Sequence, residues 1–143
     1  MFMSRRKVPT GTPLPKALAC GMLKDDGRML FLVRKDQNGT ERIELPCILV
    51  YSGRSPFAEI SSSFREQTGI DGECHEIIFE SIWNSGSRKR KAKVPVLVFK
   101  ITAKNRRAKL AGEFSGFRWL NEKDALKERK TRKLEWFTGQ AGT

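Results

Sequence analysis

The chain has 143 residues, 38% of them hydrophobic, and its 28 lysines and arginines outnumber 16 acidic residues to give a formal net charge of +12. This length accommodates one domain with a substantial core, and no apolar run approaches the roughly 20 residues that span a bilayer. Three widely spaced cysteines without a CxxC pair and a single histidine exclude a disulfide framework and the usual zinc sites. This cysteine usage predicts reduced thiols in a cytoplasmic protein, and no membrane contact is expected.

Strand patterns alternate with helix patterns along the chain. Asp26-Gly27 and Asn38-Gly39 are turn sequences between apolar runs, which predicts hairpins at both positions. Because the strands are interrupted by helices, the order indicates an α/β fold with a mixed central sheet. The predicted strands are residues 16–23, 29–36, 42–49, 74–83, 94–102 and 114–120.

A helix is predicted over residues 56–68. Ser55 suits the N-cap, Pro56 suits the first helical position, and Gly69 suits the position after the last turn. A second, closing helix is predicted over residues 121–128, with Asn121 as its cap. The first helix should present one apolar face to the core, formed by Phe57, Ile60 and Phe64.

Basic segments flank the apolar region and divide the chain into a flexible arm (residues 1–14), a domain (residues 15–128) and a tail (residues 129–143). The arm carries Arg5, Arg6 and Lys7. We expect the tail to continue the closing helix and then fray. Trp136, which lies in this basic tail, is predicted to contact a partner.

Cations are clustered in the sequence. Five of the six residues from 88 to 93 are lysine or arginine, and like charges at this density repel one another unless an anion is near. The clusters predict binding of RNA or a ribonucleoprotein through phosphate contacts without base specificity, since no RNA-recognition motif is visible. The candidate nucleic-acid-binding residues are Arg88, Lys89, Arg90, Lys91, Lys93, Arg106, Arg107, Lys130, Arg132 and Lys133.

Three segments, in their order and spacing, resemble the Nudix family over roughly residues 15–127. They are the strand–hairpin–strand start, the segment LPCILVYSGRSPFAEISSSFREQTGI, and EFSGFRWLNEKDAL, which is similar to the family's Trp-containing strand before a final helix. The resemblance implies an α/β/α sandwich around a mixed sheet. It also implies a nucleotide ligand and hydrolysis of a diphosphate linkage with Mg²⁺.

The family signature reads Gly, five residues, Glu, seven residues, then Arg-Glu-hydrophobic-x-Glu-Glu-x-Gly-hydrophobic. Anchored on Gly69, the signature keeps its two hydrophobic positions, Phe64 and Ile70, and only one glutamate, Glu66. The remaining signature positions hold other residue types, namely Ile48 for Gly, Arg54 for Glu, Ser62 for Arg, Ser63 for Glu and Gln67 for Glu.

Those replacements bear on metal binding, because Mg²⁺ requires several convergent oxygen ligands. Glu66 with a hydroxyl and an amide is a weak set of ligands. Glu59 is a possible surrogate on the same side of the helix, but two turns separate it from Glu66, about 10 Å along the axis. We therefore expect neither a metal site nor any other cofactor. If the chain were a Mg²⁺-dependent enzyme, Glu66 and Glu59 would be its catalytic and metal-binding residues.

Three functions remain open at this point. The first, favoured by the charge, is a Nudix-fold protein with a decayed box that binds RNA. The second is a divergent hydrolase of a nucleoside diphosphate derivative that uses Glu59, Glu66 and either Glu44 or Glu113. The third is a sensor that binds a nucleotide without turnover.

Overall fold

The computed structural model describes residues 14–138. Arg5, Arg6 and Lys7 of the predicted arm lie outside the described residues. Within the described part, no helix is long and apolar enough to cross a membrane. The strands are β1 Pro15–Asp25, β2 Arg28–Lys35, β3 Glu41–Glu44, β4 Cys47–Tyr51, β5 Gly72–Asn84, β6 Lys93–Ala103 and β7 Gly116–Leu120. The helices are α1 Pro56–Thr68 and α2 Glu122–Lys127, and a 3₁₀ turn spans Arg132–Leu134.

The seven strands form one mixed sheet in the order β3-β2-β1-β6-β5, with β4 also paired to β1 and β7 to β2. The central pair, β1 with β6, is parallel, and the other pairings are antiparallel. Strand β1 is almost continuously apolar because it is buried on both faces of the sheet. The predicted mixed α/β sheet is confirmed.

Helix α1 has the bounds and caps that the sequence predicts. The Ser55 hydroxyl accepts a hydrogen bond from the Ala58 amide (3.2 Å), and Gly69 adopts the left-handed conformation with φ of 72°. Ile60 and Phe64 are buried against the sheet, as expected. The prediction for Phe57 is wrong, because this residue is 47% exposed, although its ring meets Phe99 of the sheet edge to face.

Helical layers cover both faces of the sheet, giving an α/β/α sandwich. On one face, α1 packs over apolar side chains that include Ala17, Ala19 and Phe99. On the other face a larger cluster includes Leu18 and Phe31, together with residues from α2 and the C-terminal segment. A third cluster contains Phe64 and Ile101. Burial of the three clusters supplies the main driving force for the fold.

The C-terminal segment differs from its prediction. It leaves α2 at Lys127, runs beside β3 through backbone hydrogen bonds to Ile43, and makes the 3₁₀ turn instead of a longer helix. This turn directs Leu134, Trp136 and Phe137 into the core. Expecting Trp136 to contact a partner was therefore wrong. Its ring stacks on Phe79, and its indole N–H donates to the Lys133 carbonyl at 2.8 Å, so its polar atom is satisfied while buried.

Candidate functional site

A cleft of about 560 Å³ lies beside α1 and contains most of the box positions. Helix α1 contributes Glu59, Ser63, Glu66 and Gln67, and Arg54 comes from the loop before the helix. Strand β4 supplies one wall. Strand β4 includes Tyr51, and the other elements contribute Ala111 and three charged residues, namely Arg34, Glu113 and Lys133.

Two box positions are engaged with each other. The Gln67 side-chain amide donates to the Cys47 carbonyl at 2.7 Å and to the Ser63 hydroxyl at 2.6 Å. Because a carbonyl can only accept, the contact with Cys47 fixes which end of the Gln67 amide faces it. The other end, Gln67 Oε1, is buried and has no hydrogen-bond partner among the described residues. Such an unpaired buried acceptor is unfavourable unless a donor is supplied.

The carboxylates of the cleft do not converge. Glu59 lies 4.0 Å from Arg54, and Glu113 lies 3.4 Å from Arg34, so each is paired with a cation. Glu66 is exposed on the helix surface. Across residues 14–138, no group of three or more His, Cys, Asp or Glu side chains is placed to hold a metal ion.

Arg34 is the most constrained cation of the cleft. Its Nε lies 3.1 Å from the carboxylate of Glu44, a side chain that is almost fully buried, and its guanidinium also covers the ring of Phe114. Glu44 is thus a structural partner of Arg34 and does not line the cleft. No local sequence pattern identifies Arg34 as a site residue, because strand pairing and the loop before β7 create its contacts.

Cysteine chemistry is not favoured next to this cleft. Burial is the main reason that the pKa of the Cys20 thiol is raised well above its ordinary value, and a hydrogen bond with Cys47 adds to the effect. Burial likewise raises the pKa of Cys74. A nucleophilic cysteine requires a lowered pKa, so neither Cys20 nor Cys74 is favoured as a nucleophile.

Four cations of the basic cluster, residues 88–91, lie on the loop between β5 and β6, and the fifth, Lys93, is the first residue of β6. Hydrogen bonds from the amides of Gly86 and Ala92 to the Asn84 side chain hold the loop in shape. All five cations of the cluster are exposed, and no acidic side chain of residues 14–138 forms an ion pair with them. The structure therefore presents these five charges on an ordered support.

The other predicted cations are distributed over separate surfaces. Arg132 donates to the carbonyls of Asn84 and Gly86 and so attaches the C-terminal segment to the basic loop. Lys133, the next residue, lines the cleft. The ammonium of Lys130 donates to the carbonyls of Leu126 and Glu128, at the end of α2.

Arg106 and Arg107 follow the opposite end of β6 from the basic loop, and Arg106 pairs with Asp25 at 2.8 Å. Strand β6 has 11 residues, which places the two clusters about 30 Å apart. The predicted nucleic-acid-binding residues therefore do not form one surface. Among the predicted cations described outside the basic cluster, only Arg132 forms hydrogen bonds with the basic loop.

Comparisons with known proteins identify the fold. No family model matches the sequence, and no curated protein matches it either. Among solved structures, the MutT protein of Methanosarcina mazei Go1 superposes with a TM-score of 0.67 at 17% identity, over 94% of this chain and 96% of that one. An ADP-ribose pyrophosphatase of Streptococcus suis gives a TM-score of 0.62 at 14% identity, over 90% and 87% of the two chains. The Nudix domain of Shewanella oneidensis NrtR, solved with ADP-ribose, gives 0.56 at 12% identity, over 87% and 84%. The chain therefore has the Nudix fold.

Proposed function

We propose that this domain binds a nucleoside diphosphate derivative in the cleft beside α1. The observation that carries the proposal is that one cleft of about 560 Å³ combines two accessible cations, Arg54 and Lys133, with the unpaired acceptor Gln67 Oε1. Arg54 and Lys133 suit phosphate oxygens, and Gln67 suits a hydroxyl or amino group of the nucleoside. The structural similarity to a Nudix domain solved with ADP-ribose supports this choice of ligand.

Hydrolysis of such a ligand is the second candidate. Glu59, Glu66 and Glu113 all line the cleft, and the structurally similar proteins include a pyrophosphatase. Catalysis of this kind would need Mg²⁺ to polarise the diphosphate and activate water, with those three side chains as the available ligands. The two-turn separation of Glu59 from Glu66 and the pairing of Glu113 with Arg34 weigh against efficient turnover.

Calorimetry with ADP-ribose and ADP tests the main proposal. We expect saturable binding with one site per chain, weakened by Gln67→Leu because a ligand donor then loses its acceptor. The exposed Arg107→Ser, which does not line the cleft, should leave the affinity unchanged. Absence of saturable binding up to about 1 mM nucleotide would contradict the proposal. Release of product with Mg²⁺, abolished by Glu66→Gln, would instead establish the hydrolase.

RNA binding through the basic loop is a separate candidate, favoured by the ordered support and by the exposure of the five cations. Each cation that neutralises a phosphate releases counterions, so the logarithm of affinity should fall linearly with the logarithm of salt concentration. Changing Arg88, Lys89, Arg90 and Lys91 together to serine should reduce that slope by roughly two to four units.

The loss should be similar for different RNA sequences, because phosphate contacts carry no base information. Filter binding or fluorescence anisotropy at several salt concentrations measures the slope. The matched control is Arg106→Ser with Arg107→Ser, at the far end of β6. An unchanged slope in the loop variant would reject the loop as the RNA site, and wild-type protein that binds no RNA would end this candidate.

A further inference from the structure

We propose that the cleft binds the phosphates of its ligand directly through Arg54 and Lys133, without a bridging divalent cation. This inference rests on the proposed nucleotide-binding function and concerns how the same site neutralises the charge of its ligand. It departs from the metal-dependent chemistry that the fold family implies.

The polar side chains of the cleft are not arranged to hold a Mg²⁺ ion. Mg²⁺ takes oxygen ligands at about 2.0–2.1 Å in near-octahedral geometry, which requires side chains that converge. The Ser63 hydroxyl and the Gln67 amide are instead bonded to each other, and Ser63 is buried. Glu59 and Glu66 are two helical turns apart, about 10 Å along the axis. The residues of this cleft therefore do not fit Mg²⁺.

The cleft also carries less negative charge than the family signature would give it. At three positions that line the cleft, the family signature has glutamate and this chain has Arg54, Ser63 or Gln67. The change at position 54 adds two units of positive charge, and each of the other two changes adds one. The sum equals the charge of two Mg²⁺ ions. The lining of this cleft is therefore four charge units less negative than that of a cleft with the full signature, so it needs less compensating charge from metal to accept a phosphate.

Two of the three cations that line the cleft are accessible to a phosphate. Glu44 and Glu113 engage two of the three nitrogens of Arg34, and the Phe114 ring lies under its guanidinium, so this side chain is already held in place. The Arg54 side chain is 68% exposed, and its single ion pair, with Glu59, is long at 4.0 Å. Lys133 is half-buried, and within the described ranges no acidic side chain lies within 4.0 Å of its ammonium. Arg54 and Lys133 are accordingly the groups that can receive a phosphate.

Calorimetric titrations with ADP-ribose and with inorganic pyrophosphate, each in EDTA and in excess MgCl₂, test the inference. We expect equal affinities in the two buffers, within about twofold, and no heat of binding for MgCl₂ alone. Arg54→Ser and Lys133→Ser should each weaken binding about tenfold or more, the value of a charge-assisted hydrogen bond. Arg65→Ser, on the exposed side of α1 and outside the cleft, is the matched control.

Glu66→Gln gives the sharpest contrast. If phosphate is bound directly, removing this negative charge should leave affinity unchanged or strengthen it by up to about fivefold. If a metal ion bridges the phosphates to the protein, the same variant should weaken binding.

Affinity that rises more than tenfold with Mg²⁺ and falls in Glu66→Gln would overturn the inference while leaving the nucleotide-binding proposal intact. Metal-independent binding of pyrophosphate without binding of ADP-ribose would overturn that proposal and leave the inference standing. No binding of either probe would overturn both.

Discussion

Trp136→Ala is expected to lower the free energy of unfolding by about 3–5 kcal/mol, the range for removing a large buried aromatic side chain. The Trp136 side chain is only 7% exposed, stacks on Phe79 and meets Phe137 edge to face. Its loss would leave a cavity between β5 and the C-terminal segment, which the surrounding strands cannot readily fill. Urea denaturation followed by circular dichroism measures the change.

Phe117→Ala is the control for this prediction. Phe117 is on β7 and 42% exposed, so the same kind of truncation should cost about 1 kcal/mol or less. Similar losses in the two variants would mean that the C-terminal segment does not belong to the cooperative core. A small effect of Trp136→Ala would also return this side chain to the list of candidates for partner contact.

Gly69→Ala is expected to destabilise the fold by about 3 kcal/mol, through two causes that a control can separate. A side chain at φ of 72° is strained, which costs about 1–2 kcal/mol. In addition, a Cβ at this position would lie 2.5 Å from the backbone carbonyl oxygen of Lys109. The segment around Lys109 cannot move away without losing hydrogen bonds, because its amides at Lys109 and Ala111 donate to the last carbonyls of α1.

Gly39→Ala measures the backbone strain alone, without a steric contact. Gly39 has φ of 80°, but no atom lies within 4 Å of the position that its Cβ would take. We therefore expect a loss of about 1 kcal/mol there, and the difference between the two variants measures the contact with Lys109. Equal losses would show that the segment after β6 yields easily. Because Ala111 of this segment lines the cleft and its amide donates to the Gln67 carbonyl, nucleotide affinity should decrease in Gly69→Ala and not in Gly39→Ala.

Much of the fold could be predicted from local chemistry. Ser55, Pro56 and Gly69 define the ends of α1 because capping and left-handed geometry depend on the residues themselves. The same holds for Asn121, whose side chain accepts from the Asp124 amide at 2.7 Å. Predictions failed where distant contacts decide the outcome. Trp136 follows a run of cations that suggests a solvated tail, and only the 3₁₀ turn reverses the chain to bury it.

The candidate site could be predicted only in part, because spacing along one helix identifies some of its residues and contacts between distant segments determine the others. Box positions such as Glu66 and Gln67 follow from spacing along one helix, so the sequence places them together. Arg34 and Lys133 reach the cleft from other elements, and no spacing relates them to α1. The run of cations predicts that Lys133 and Arg132 share one surface, whereas in the tight turn Arg132 contacts the basic loop and Lys133 lines the cleft.

The parallel pairing of β1 with β6 has a consequence for the order of events during synthesis. The hairpin of β1 and β2 is local and can form early, but the register that joins Leu18 to Val96 must wait until β6 has left the ribosome. Until then β1, which is buried on both faces in the finished protein, has one of its edges and much of its apolar surface uncovered. Pairings between distant segments fold slowly. Refolding from denaturant should therefore be efficient in dilute solution and increasingly lost to aggregation as the concentration rises.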